Sequence, residues 1–305
     1  MRPLEKVIIT GSSGFIGSNL RTYLQDKKNV EVEALSLRNG LPTQLNAANA
    51  IIHLAGLAHD VKGKVDSESY FYVNYELTKQ VFLLFLESDI QDFIFFSSVK
   101  AVADQSDEWL TEEAIPNPQS VYGQSKLKAE NYLLAQPLSV GKRLLIVRPC
   151  MTHGIGNKGN LNLLYRMVKR GLPYPLGAFQ NQRSFLSVDN LSYLVAEMLG
   201  NRSVPSGIYH FADDDTLSTL DIVKTMAVVL PKKLKLWTIS PRWVKRVAKW
   251  NDCFRGPFSQ ERLEKLTSSY LVSNRKIKGA LGISKLPITM KDGLIKTIQS
   301  FQNSQ

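Results

Sequence analysis

Apolar runs alternate with segments of helical period over the first two-thirds of the chain. KVIIT (6–10) precedes a helical pattern from about Phe15 to Asp26, and further apolar runs read VEVEAL (30–35), AIIHLA (50–55), DFIFFSS (92–98) and RLLIVRP (143–149). Helical patterns fall near Tyr75–Leu86 and Val121–Ala135. Strands that are apolar nearly throughout bury both faces, and when they alternate with helices they predict a parallel sheet covered on both sides. After about residue 150 the pattern loosens into shorter helices and loops such as GIGNKGN and GLPYPLG, which predicts a smaller lobe interleaved with the last strands of the sheet. The expected fold is therefore α/β: a Rossmann-type, doubly wound, mostly parallel sheet with a smaller C-terminal lobe. No internal repeat or low-complexity segment interrupts it.

Composition narrows the class. Of 305 residues, 44% are hydrophobic and 21% charged, as in a globular protein. The first residues, MRPLEKVIIT, contain no apolar signal region, and VFLLFL (81–86) is far too short to span a bilayer, so neither a signal peptide nor an integral membrane segment is expected. Cys150 and Cys253, the two cysteines, lie too far apart to form a disulfide framework, which fits a reducing cytoplasm. The histidines, His53, His59, His153 and His210, are scattered without metal-site spacing, so no metal is expected.

The net charge of +11 permits binding to nucleic acid or an anionic membrane, and equally to a phosphate-bearing ligand. Basic residues are spread along the chain without a nucleic-acid-binding motif, which argues against that partner. They concentrate in Pro231 to Gly256, which holds eight basic residues, one acidic residue and three tryptophans. One reading is a membrane-surface helix; the other is a solvated basic face on a helix that buries Trp243, Val247 and Trp250.

TGSSGFIGSNL (10–20) directly follows the first strand and opens a helix. Gly11 would allow the tight turn, Gly14 the close approach of a diphosphate, and Gly17 the packing of helix on strand, with the helix N-terminus facing the anion. This strand–turn–helix setting is what a dinucleotide-binding loop requires. After the second strand, where an NAD-preferring fold carries a carboxylate for the ribose, this chain has Ser36 and then Arg38. That favours NADP(H) over NAD, unless Arg38 simply points to solvent.

Tyr-x-x-x-Lys occurs four times, at Tyr23/Lys27, Tyr75/Lys79, Tyr122/Lys126 and Tyr165/Lys169, so the spacing alone decides nothing. Only Tyr122 begins a helix that follows a strand ending in Ser97 and Ser98, at the carboxyl edge where open α/β sheets bind ligands. Lys126 lies one turn on, and an ammonium beside the phenol is expected to lower its pKa and make it a usable acid or base. Cys150 is expected to be a small buried filler.

The motifs GSSGFIG, IIHLAG, FFSSVK, VYGQSK, IVRP and RSFLSVDN, in this order, resemble the extended short-chain dehydrogenase/reductases of the NAD-dependent epimerase/dehydratase family, over essentially the whole chain. The resemblance implies Ser98, Tyr122 and Lys126 as catalytic residues, and Ser98, Lys100, Tyr122 and Arg183 at the substrate. It implies cofactor contacts from Gly11, Ser13, Gly14, Phe15, Ile16, Gly17, Ser36, Arg38, Leu54, Ala55, Gly56, Asn74, Ser97, Lys126 and Pro149. It divides the chain into a dinucleotide-binding domain, 1–160, to which strands near 183–212 return, and a sugar-nucleotide lobe, 161–182 with 213–305. A homodimer is the expected assembly.

Dehydratases of the family carry an Asp-Glu pair after the catalytic hydroxyl residue; here Val99 and Lys100 stand there, so no dehydratase activity is expected. What remains is reduction at C4 of a UDP-4-keto-6-deoxy-hexosamine with NADPH for surface-polysaccharide synthesis, toward which Ser36 and Arg38 tip the balance, or C4 epimerisation of a UDP-hexose or UDP-N-acetylhexosamine with tightly bound NAD. A non-catalytic dinucleotide sensor on the same fold is a lesser alternative, since such relatives typically lose the tyrosine or the lysine.

Overall fold

The computed structural model describes residues 4–38, 40–58, 66–157, 159–244, 246 and 260–303. His59, Val247, Trp250 and Cys253 lie outside the described residues, and Trp243, expected on the buried face of a helix, is instead 62% exposed, its neighbour Val244 taking the buried position.

A six-stranded, all-parallel sheet forms the larger part. Its strands are β1 (Lys6–Thr10), β2 (Glu31–Leu35), β3 (Ala50–His53), β4 (Asp92–Phe96), β6 (Arg143–Pro149) and β9 (Gly207–Phe211), in the order β2-β1-β3-β4-β6-β9. Alternate residues of the same strands feed two cores. Ile9, Ile52, Ile94 and Val147 face one side with α1 (Phe15–Lys28) and α6 (Val188–Gly200). Ile8, Ile51, Phe93, Phe95 and Ile146 face the other, against α3 (Leu77–Glu87) and α4 (Val121–Leu134). Both faces are therefore covered, which explains the apolar runs. The direction in which successive strands are added reverses at β1, with β2 on one side and β3 on the other, and that switch point opens at the carboxyl edge, where ligands of such sheets bind.

A smaller mixed sheet, ordered β10-β8-β11-β5, supports the lobe. It joins β5 (Ser106–Leu110), β8 (Arg183–Ser187), β10 (Thr216–Leu217) and β11 (Tyr270–Val272), with β7 (Met151–His153) pairing β8. Of the strands expected to return near 183–212, β9 enters the main sheet, whereas β8 lies in this second one. The lobe has its own core, where α5 (Asn160–Lys169), α7 (Thr219–Val229) and the helix Met290–Asn303 pack through residues such as Tyr165, Ile222, Leu294 and Phe301. Among the described residues, no helix is long and apolar enough to cross a membrane.

Candidate active site

Three loops meet at the switch point. The first is the glycine turn after β1. Gly11 has φ +70°, and a Cβ there would stand 2.7 Å from the Ala55 backbone nitrogen. Gly14 returns its N–H to the Gly11 carbonyl at 3.0 Å and caps α1 with no side chain. No acidic residue occupies the first turn of α1, so its free N–H groups and positive dipole end face outward beside exposed Ser13. At Gly17 a Cβ would fall 2.3 Å from the Gly11 carbonyl oxygen, so helix and loop can approach only through glycine. Gly17→Ala is expected to cost about 1–3 kcal/mol through overpacking, read as a lowered Tm; an unchanged Tm would contradict this packing.

The second loop follows β3. Thr10 Oγ1 accepts from the Ala55 N–H at 3.2 Å and bonds His53 Nδ1 at 2.8 Å. His53 Nε2 in turn meets Thr78 Oγ1 at 3.0 Å, and that hydroxyl donates to the Asn74 carbonyl at 2.9 Å. Burial, helped by the Lys126 charge, lowers the His53 pKa to about 3, so the imidazole is a neutral relay between loops. Sequence reasoning left Thr10 and Thr78 unnoticed, because lone threonines carry no motif.

Asn74 sits in a π-helical turn, Tyr72–Glu76, between α2 (Ser67–Phe71) and α3. Such turns add a residue and re-aim a side chain. Its Oδ1 accepts from the Leu57 N–H at 2.8 Å, while Nδ2 donates to the Leu57 carbonyl and to Ser125 Oγ, both at 3.0 Å.

The third element carries the serine hydroxyls and the phenol. β4 ends in buried Ser97 and Ser98, followed by a single 3-10 turn, Val99–Ala101, which Ser98 caps by accepting from the Lys100 N–H at 3.2 Å. The Ser97 hydroxyl is buried without a partner. Asp104 accepts from the Gln119 and Ser120 N–H groups at 2.8 and 3.1 Å, fixing the start of α4. Half-buried Tyr122 then stands beside Tyr70, ring centroids 6.4 Å apart. Burial pushes its phenol up to about 12, while a hydrogen bond with Ser98 pulls the other way.

This reverses the sequence expectation of a lowered phenol pKa. The reason is geometric: Lys126 Nζ donates to the Phe96 carbonyl at 2.8 Å and lies 4.8 Å from the Phe95 ring centroid. Desolvation drops Lys126 itself to about 8, partly offset by Glu130 one turn on. Glu130 is held by Arg148, Nε to Oε1 at 2.9 Å and Nη2 to Oε2 at 2.5 Å, with both side chains buried. Sequence reasoning missed this pair; the arginine of IVRP was its only trace.

Lys126 and Asn74 converge on one gap. A Cβ at Gly56 would stand 2.9 Å from Asn74 Oδ1 and 3.1 Å from Lys126 Nζ. With the bare glycine turn, this side-chain-free cradle fits a dinucleotide running along the sheet edge from α1 to Lys126. Leu54 and Ala55 line the same edge, half-buried, with Phe15 and Ile16 at the start of α1 and buried Pro149 at the end of β6.

At the tip of β2, Ser36 and Arg38 are both exposed, and Ser36 Oγ accepts from the Arg38 N–H at 3.4 Å. The carboxylates of β2 are engaged elsewhere: Glu31 and Glu33 each pair with Lys6 at 3.0 Å. Lys100 reaches Asp104 at 3.5 Å. Arg183 begins β8 beside Tyr270, where burial lowers its pKa. Cys150, buried, has its thiol pushed up by burial and by Asp213, which fits a packing role.

The sequence pattern of the NAD dependent epimerase/dehydratase family matches residues 7–211. A UDP-glucose 4-epimerase of Vibrio cholerae is 28% identical, over 97% of this chain and 95% of that protein. An Escherichia coli O157:H7 protein, N-acetyl-alpha-D-glucosaminyl-diphospho-ditrans,octacis-undecaprenol 4-epimerase, is 24% identical over the same shares. The structure of RMD from Pseudomonas aeruginosa complexed with NADPH superposes with a TM-score of 0.75 at 19% identity, covering 99% of this chain and all of that one.

Proposed function

The chain belongs to the NAD dependent epimerase/dehydratase family, and from that premise we propose that it is an NAD(P)-dependent oxidoreductase acting at C4 of a nucleotide sugar, reducing a UDP-4-keto-6-deoxy-hexosamine with NADPH. The observation that carries this reading is the grouping of hydrogen-bonded Ser98 and Tyr122 with Lys126 and Asn74, which meet at the Gly56 gap on the sheet edge, where burial raises the pKa of the Tyr122 phenol. A phenol that keeps its proton at neutral pH is the acid a ketone needs as it becomes an alcohol.

In this reading the turn at Gly11, Ser13, Gly14 and Gly17 holds the diphosphate, and Phe15 and Ile16 flank it. Ser36 and Arg38 receive the 2′-phosphate of NADP(H); among the described residues no carboxylate at the tip of β2 opposes it. Lys126 and Asn74 hold the nicotinamide ribose at the Gly56 gap. The bound dinucleotide supplies the hydride at C4. Ser98 and Tyr122 bind the C4 oxygen, and Tyr122 hands it the proton. Arg183 and Lys100, both cationic, serve the diphosphate and sugar of the substrate. Val99 and Lys100 offer no acid–base pair for elimination across C5 and C6, so a 4-keto-6-deoxy sugar is consumed here, not made.

A second reading, 4-epimerisation with retained NAD, draws support from the names of two relatives that each match 97% of the chain. Purifying the protein without added cofactor, denaturing it and identifying the released nucleotide by mass spectrometry separates the two. Reduction predicts an empty protein or traces of NADP(H). Stoichiometric NAD would overturn it in favour of the epimerase. Subsequent assays include a polyprenyl-diphosphate-linked hexosamine, since one relative is named for such a substrate.

A further inference from the structure

The lobe carries a surface that the reaction above does not use. From Lys224 to Arg246 the chain has seven basic residues and no acidic one. Within this stretch Trp237 and Trp243 are 54% and 62% exposed. Trp237 does not hang on a frayed loop. Its N–H donates to the Tyr174 carbonyl at 3.0 Å, its carbonyl accepts from Gly177 at 3.2 Å, and Tyr174 donates to the Lys235 carbonyl at 2.8 Å. Trp243 is anchored by its neighbour Val244, which is buried in the lobe core, while Arg246 rests over the indole at 5.6 Å. The backbone thus fixes both indoles with more than half of each exposed, on a stretch whose charged residues are all basic. Val228, Leu236 and Ile239 are exposed on the same stretch.

Indoles combine a large apolar body with one N–H donor, the combination enriched at the headgroup level of membranes. Lysine stems lie along apolar surface while their ammonium heads reach phosphates. A nucleic acid would also take stacked tryptophans and cations. It has no use for exposed valine, leucine and isoleucine between them, which acyl chains accept.

We propose that this face of the lobe docks the protein reversibly on an anionic lipid surface, with Trp237 and Trp243 at headgroup depth and Lys232, Lys233, Lys235 and Arg242 over lipid phosphates. This goes beyond the assigned reaction and does not depend on it. Docking would leave the glycine turn and the α4 site on other elements of the fold.

Flotation of the full chain with vesicles tests it. Phosphatidylcholine vesicles containing about one third phosphatidylglycerol should carry the protein at low salt, and pure phosphatidylcholine should not. Binding should weaken as salt rises and should shift tryptophan emission to the blue. The variant Lys232→Glu/Lys233→Glu/Lys235→Glu should bind at least about 100-fold more weakly, since each basic residue near the surface contributes roughly five-fold. Trp237→Ser/Trp243→Ser should also weaken binding, about ten-fold or more. Melting curves of both variants confirm folding. The proposal is overturned by equal binding to neutral vesicles, by no binding to either, or by wild-type binding of the glutamate variant. It is equally overturned if the serine variant floats like wild type while duplex DNA competes for the site.

Discussion

Tyr122→Phe is expected to lower kcat by about two to four orders of magnitude, the range for loss of a positioned acid, with dinucleotide affinity unchanged. The substitution removes one oxygen. The ring keeps its place beside Tyr70, so the edge-on packing survives. What disappears is the phenol proton, which the proposed reaction passes to the C4 oxygen, and with it the bond to Ser98. Lys126 cannot take over, because its Nζ is committed to the Phe96 carbonyl at 2.8 Å and faces the Gly56 gap. Steady-state kinetics with the keto-sugar, paired with calorimetric titration of NADPH, reads both halves. Turnover that survives in the phenylalanine variant would remove Tyr122 from the chemistry.

The second large effect is expected at a residue that touches neither ligand. Arg148→Met breaks a pair whose side chains are both almost wholly buried, 2% and 1% exposed. Stranding Glu130 without its guanidinium should cost about 3–5 kcal/mol of stability, whereas the double variant Arg148→Met/Glu130→Leu should recover much of it. Denaturant melts of the two proteins check this, and an equal loss in both would contradict it.

Glu130→Gln tests the electrostatic side of the same pair. Glu130 raises the Lys126 pKa against the desolvation that holds it near 8. Removing the carboxylate lets it fall further, so Lys126 loses its proton at lower pH. The alkaline limb of activity, expected near pH 8 in the parent protein, should move toward neutrality in the variant. An unmoved limb would mean that Glu130 and Arg148 serve packing alone.

Legibility in the sequence followed burial. β1, β3, β4 and β6 announce themselves because both faces are covered, leaving Val7, Ile8 and Ile9, or Phe93, Ile94 and Phe95, with no polar neighbour to interrupt them. The strands of the second sheet are short and edge-like. SDEWL at β5 gives no strand signal, because Asp107, Glu108 and Trp109 are all exposed and no apolar alternation marks the segment. YLV at β11 is too brief to carry a period. The π-helical turn around Asn74 was invisible for a similar reason, since inserting one residue leaves a helical pattern looking helical. The serine, tyrosine and lysine of the site stood out through spacing and setting. Their protonation did not, because it depends on the direction of Lys126 Nζ and on Glu130 and Arg148, set by packing across the sheet.

β5 supplies the last consequence. It lies between Ser98 and Tyr122 in the chain, yet its ladder partner is β11, with Tyr270 opposite Ser106 and its hydroxyl donating to the Ala103 carbonyl at 2.5 Å. The segment that separates the serine from the tyrosine is therefore closed by residues some 160 positions later (270 − 106 = 164). Contacts of such long range form late, since loop closure must precede them. During synthesis the glycine turn and the Asp104 contacts that fix the start of α4 can form while much of the chain is still unmade, but β5 has no ladder partner until β11 has emerged. A nascent chain of this protein would pass through a stage in which the main sheet carries its glycine turn and α4 while β5 still waits for its partner strand.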